Sequence, residues 1–209
     1  DYLMFSEILK HVEPNTKIII ETTLQIGASR TYLDELEKNG FVVGEDIYYA
    51  YSPERYDSFK WTDMDDQIKL VSADDSSSLE TIGSFYDSLG IQVKPVKKCV
   101  TAELTKLYEN YMRMTQIQVV NMFGKICADR GVLPTEMVGA AATKENFPRV
   151  IPGIVGGKCL PKNAKMVEEE VRRISSSQLN MSNINEGRAD TIAEHVFEFE
   201  DTIDEDDPS

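Results

Sequence analysis

From Thr101 to about Arg130 apolar residues return at every third or fourth position: Leu104, Leu107, Tyr108, Tyr111, Met114, Val119, Val120, Phe123 and Ile126. That period belongs to a helix with a buried stripe. Gly131 ends the pattern and Pro134 opens a shorter helix. Met112, Met114, Val119, Met122 and Cys127 widen the stripe beyond what one intramolecular face requires. The chain is thereby committed to an all-α region with surplus apolar surface, and self-association through this helix is expected.

The residues before it follow a different rule. Tyr2–His11 has helical spacing and is punctuated by Pro14-Asn15. Lys17–Ile20 is a continuous β-branched run, as in a buried parallel strand. Ser29–Lys38 reads as a helix stopped by Asn39-Gly40, Asp46–Tyr51 as a strand and Ile68–Ser72 as another. Ser76–Leu89 reads as a helix closed by Gly90, and Ile91–Val96 as a last strand. Alternation of this kind predicts an α/β region with a largely parallel sheet, whose ligands sit beyond the carboxyl ends of the strands. Thr22-Thr23 and Ser52-Pro53-Glu54 stand at such ends. The β signals cease near Lys98, so the expected division is 1–98 (α/β) and 99–197 (all-α). Pro161–Ile174 and Asn183–Phe197 read as two further helices separated by Ser175-Ser176-Ser177. The acidic run at 198–209 reads as a solvated, disordered tail.

A net charge of −14 over 209 residues opposes general nucleic-acid binding, which needs basic surface. A 41% hydrophobic content supports a core, yet no run approaches the ~20 residues of a membrane span. Cys99, Cys127 and Cys159 are odd in number, widely spaced and free of any C-x-x-C. This argues against a disulfide framework and a metal site and for a reducing, cytoplasmic setting. The first residue is Asp1, and Asp1–Lys10 reads as an amphipathic helix rather than a signal peptide, so a piece of something longer is expected.

The chemistry concentrates at Gly156-Gly157-Lys158-Cys159-Leu160-Pro161-Lys162-Asn163. Glycines allow close approach of a ligand, and Pro161 is suited to open a helix. A thiol at a helix start between two cations is expected to populate its thiolate, which is the nucleophile. Its other reading is a small buried residue after a glycine turn. A phosphate-loop reading fails, because three residues separate Gly153 from Gly157 and Cys159 replaces the magnesium-binding hydroxyl. No G-x-G-x-x-G occurs. His11 and His195, the possible bases for a thiol hydrolase, have no supporting motif. Lys106, Asn110 and Arg113 share a helix face, either as a solvated stripe or as a cation and an amide aimed at a polar substrate.

Four segments in order resemble the UDP-glucose/GDP-mannose dehydrogenase family. They are Glu21-Thr22-Thr23-Leu24-Gln25-Ile26-Gly27, Tyr51-Ser52-Pro53-Glu54-Arg55, Ala102-Glu103-Leu104-Thr105-Lys106-Leu107-Tyr108-Glu109-Asn110, and Gly156-Gly157-Lys158-Cys159-Leu160-Pro161-Lys162. The S-P-E-R form is typical of the UDP-N-acetylhexosamine branch. The resemblance implies the second half of a Rossmann NAD-binding domain joined to a helical central domain that dimerises. It implies NAD as cofactor and a nucleotide sugar as substrate, whose C6 alcohol is oxidised to an acid. Cys159 would form a thiohemiacetal and then a thioester, with Lys106 and Asn110 at the oxyanion. Thr23 and Glu54 would position water and move protons, Lys162 would reach the cofactor pyrophosphate, and Gly156 and Gly157 would admit the sugar.

The chain departs from the family pattern at Asn163, where the family has an aspartate, and in the stretch after Glu54-Arg55. The glycine fingerprint would lie before Asp1 and a nucleotide-binding domain after Phe197. Two other classes stay open: a non-catalytic relative that binds the nucleotide sugar or only dimerises, and a different thiol enzyme with a histidine near Cys159.

Overall fold

A computed structural model describes residues 2–55, 68–153 and 159–178, apart from the side chains at 2–4 and 175–178. The chain forms two compact units, Asp1–Met166 and Val167–Ser209. The change of character near Lys98 falls inside the first. Within it, α1 (Tyr2–Leu9), β1 (Lys17–Ile20), α2 (Ala28–Lys38), β2 (Tyr48–Tyr51), β3 (Lys69–Ser72), α3 (Ser76–Ser88) and β4 (Val93–Val96) precede the long α4 (Cys99–Asp129) and the short α5 (Pro134–Ala141). The last described helix, α6 (Cys159–Gln178), begins in the first unit and ends in the second.

The sheet runs β1-β2-β3-β4, with β1/β2 and β3/β4 parallel. β2 and β3 pair antiparallel through Tyr51 and Ser72, so the sheet is mostly parallel, as expected, with one reversal. Because β3 runs against β2, it begins at the end of the sheet where β1 and β2 finish. Alternating side chains supply two cores. Tyr49 and Tyr51 pack with Ile18, Leu33, Leu36 and Cys99, while Ala50 and Val71 on the other face pack with Ile82 and Tyr86 of α3. Phe5 of α1 meets the Tyr32 ring edge-on, with centroids 4.8 Å apart.

Several expected boundaries move, each for a local reason. β2 starts at Tyr48 because Asp46 is engaged in a turn, its N–H on the Val42 carbonyl and its carboxylate on the Val42 N–H. Ile91 gives its N–H to the Tyr86 carbonyl in closing α3, so β4 starts later than the apolar run. α4 starts two residues earlier than Thr101, since Asp74 accepts the Cys99 N–H at 2.8 Å and caps the helix from outside its own sequence. α6 starts at Cys159, with Pro161 inside the first turn, and runs through the serines at 175–177 to Gln178. Serine costs a helix only a few tenths of a kcal/mol. The expected helix Asn183–Phe197 and the acidic tail lie outside the described residues.

Candidate active site

The carboxyl ends of β1 and β2 remain paired past the strands: Ser52 donates its N–H to Ile20 and Glu54 donates its N–H to Glu21. This register carries Glu54 to the sheet edge, next to the loop from Glu21 to Gly27. Thr23 lies in that loop, half-buried, ahead of the buried Leu24. The loop ends at Gly27, whose φ of +83° suits glycine and leaves α2 without a side-chain cap of its own.

The missing cap comes from α4. Glu103, with no exposed surface, accepts the Gly27 N–H at 2.6 Å on one carboxylate oxygen and the Ser29 N–H at 2.7 Å on the other. A carboxylate at a helix N-terminus satisfies free N–H groups and opposes the helix dipole. This joins α4 to the Thr23 loop. The sequence held a signal for it, because Glu103 lies four residues from Cys99 and four from Leu107, on the buried stripe. An acid there needs a partner.

One turn further along α4, Lys106 is half-buried. Burial pulls its ammonium below the ordinary lysine value; Glu109, Cys159 and Glu54 oppose the fall, and Arg55 adds to it. The fold thus brings Lys106, Cys159 and Glu54 into one electrostatic neighbourhood. Arg55 clamps this arrangement through two parallel bonds to Glu109 at 2.6 and 3.1 Å, a geometry that fixes orientation as well as charge. Asn110 is half-buried one turn beyond Lys106.

Cys159 is exposed at the start of α6, whereas Cys99 and Cys127 are buried. Burial drives the Cys99 thiol up to about 12, with Asp74 adding to it; that thiol is structural. Asn163, one turn after Cys159, is 1% exposed and its Nδ2 has no hydrogen-bond partner among the described residues. Lys162 is exposed. Gly156, Gly157 and Lys158 lie outside the described residues. The chain leading to them is anchored to α4, where Asn121 accepts the Gly153 N–H and donates to the Gly153 carbonyl at 2.6 Å. His11 is exposed just past α1, and His195 lies outside the described residues.

Lys69, at the start of β3, reaches the same edge. Its Nζ lies 2.7 Å from Glu21 and 3.0 Å from Glu54, and Tyr86 donates its hydroxyl to Glu21 at 2.9 Å. Sequence reading missed this residue, because only the reversed strand places it opposite Glu54. Among the described residues no cluster of metal-binding side chains occurs, and no helix is long and apolar enough to cross a membrane.

Residues 100–186 match a model of the UDP-glucose/GDP-mannose dehydrogenase family, central domain. Protein CapL of Staphylococcus aureus is 30% identical over 195 residues, 90% of this chain and 46% of CapL. The UDP-N-acetyl-D-glucosamine 6-dehydrogenase of Pseudomonas aeruginosa is 30% identical over 68% of this chain and 35% of its own length. The solved UDP-D-ManNAc dehydrogenase of Pyrococcus horikoshii superposes with a TM-score of 0.72 at 26% identity, covering 79% of this chain and 41% of the other. The chain thus spans less than half the length of these relatives. Through residues 100–186 it belongs to the UDP-glucose/GDP-mannose dehydrogenase family, whose central domain it carries.

Proposed function

We propose that the chain is the catalytic portion of an NAD-dependent dehydrogenase that oxidises the C6 alcohol of a nucleotide sugar to the uronic acid. The observation that carries the proposal is the half-buried Lys106 with Cys159 and Glu54 in its electrostatic surroundings. The relatives named for UDP-N-acetyl-D-glucosamine and UDP-D-ManNAc point to a UDP-N-acetylhexosamine as substrate.

The polar, half-buried Thr23 at the carboxyl edge of the sheet and the exposed Lys162 in the first turn of α6 fit the nicotinamide and pyrophosphate end of NAD. When bound, NAD⁺ accepts hydride, and alcohol-to-acid oxidation consumes two of them. The chain's own residues do the rest. The Cys159 thiolate adds to the C6 aldehyde carbon, forming a C–S bond and moving the carbonyl pair onto oxygen. Lys106 and Asn110 supply N–H donors to that oxyanion, and low local polarity strengthens them. Loss of the second hydride leaves a thioester on Cys159. Water held by Thr23 and Glu54 then adds to the thioester carbonyl. Glu54 takes its proton, the C–S bond breaks, and the pair returns to sulfur. A homodimer formed through α4 fits Val119, Met122, Phe123 and Ile126, which are 44–54% exposed on that helix. The cytoplasm suits its reduced thiols.

A binding-only relative is the second reading, and Asn163 favours it by placing an unpartnered amide where the family has a carboxylate. Reaction stoichiometry separates the two. The full-length protein with UDP-N-acetylhexosamine is expected to form two NADH per sugar, and Cys159→Ser to form no uronate. Binding of the sugar without NADH formation would select the second reading.

A further inference from the structure

We propose that Lys69 is a positioning residue for this site, anchoring the Glu54 carboxylate that activates water. The inference rests on the functional reading above for Glu54's role, but its geometry stands independently. In the antiparallel register of β2 and β3, Tyr51 faces Ser72. Three residues back along β3 and three forward past β2, Lys69 falls opposite Glu54. The reversal of β3 is what allows it, since a parallel third strand would start at the opposite edge of the sheet.

The lysine is built in. Its side chain is 14% exposed, and its Nζ meets both Glu21 Oε1 and Glu54 Oε2. The Tyr86 ring lies beneath it, 5.8 Å from Nζ to centroid, and the Tyr86 hydroxyl holds Glu21. Burial alone would weaken the ammonium, yet the hydrogen bonds and charges of Glu21 and Glu54 outweigh it and the net shift is upward. Lys69 therefore stays protonated across the physiological range. Glu54 itself is half-exposed at 55%, and the ion pair with the more deeply buried Lys69 restricts its rotamers. Lys69 thereby fixes where the Glu54 carboxylate stands, while Lys106 adds a second cation to its electrostatic surroundings.

The test reads Glu54 directly. In protein carrying ¹³C-labelled glutamate, with the Glu54 signal assigned through Glu54→Gln, the carboxylate is titrated in wild type, Lys69→Met and Lys69→Arg. Lys69→Met is expected to raise the Glu54 midpoint by about one pH unit, and Lys69→Arg to return it to wild type. An unmoved midpoint, or one that arginine fails to restore, overturns the proposal. If Lys69→Met does not fold, Glu21→Gln decides: it leaves Lys69 to Glu54 alone and is expected to lower the midpoint, and no movement overturns the proposal. Turnover with NAD⁺ and UDP-N-acetylhexosamine adds a second readout. Lys69→Met is expected to cut kcat at nearly constant KM and to move the acid limb of the pH profile upward. An unchanged kcat overturns the positioning role. If wild type does not turn over at all, the functional reading fails while the titration still decides Lys69.

Discussion

Asn163 is the residue whose surroundings fit its identity least. An amide in a 1%-exposed position with an unpartnered Nδ2 forgoes a hydrogen bond that burial makes costly, on the order of 1–3 kcal/mol. A carboxylate there would have no donor to orphan and could accept a proton one turn from Cys159. Restoring it by Asn163→Asp in the full-length protein is expected to raise kcat. An acid–base contribution amounts to roughly 10²–10⁴-fold, well within the range of a steady-state assay. Unchanged turnover would show that the reaction has no use for an anion at this position.

At the scale of elements, the join between α4 and α2 is made by one side chain. Glu103→Ala would remove both charge-assisted bonds to the α2 N-terminus. The expected loss is about 3 kcal/mol, at roughly 1.5 kcal/mol or more per bond, measured as a fall in the urea midpoint. Glu103→Gln should recover only part of it, because the glutamine NH₂ group would face one of the two N–H donors. A midpoint unmoved in Glu103→Ala would mean that the cap adds nothing to stability. This join also shows what sequence patterning can and cannot reveal. Helical spacing and short apolar or β-branched runs located every element of the described fold, and turn residues such as Asn39-Gly40 stopped α2 where expected. Patterning is blind to caps supplied from a distance, which is why the early start of α4 at Cys99, capped by Asp74, and the cap from Glu103 emerged only in three dimensions. The reversal of β3 was equally hidden, since a buried strand has the same composition in either direction. Cys159, Lys106 and Glu54 were legible as motif residues. Lys69 and Asn121, whose roles depend on register and on a loop contact, were not.

For the molecule as a whole, protons are the simplest probe of the packed core. Burial is the main cause that drives Tyr51 and Cys99 up to about 12 from ordinary values of 10.0 and 9.0. Tyr49 is driven further still, chiefly by burial. Each binds its proton more tightly folded than unfolded, so its stabilisation is complete below the unfolded pKa. It is lost as pH rises through the window from about 9 toward the folded values. Each pH unit in that window removes about 1.4 kcal/mol per group. Urea midpoints are expected to be flat in these terms up to about pH 8.5 and to fall steeply above it, Cys99→Ser delaying the onset. A flat profile to pH 11 would contradict the packing around Tyr49, Tyr51 and Cys99. The chemistry is tested most directly by catching the acyl group on sulfur. Full-length protein mixed with NAD⁺ and UDP-N-acetylhexosamine, quenched in acid within the first turnovers and digested, is expected to yield the Cys159 peptide carrying a hydroxylamine-labile uronyl thioester, absent when NAD⁺ is omitted. Uronate formation with an unmodified Cys159 peptide, or with the adduct on another residue, would contradict the account.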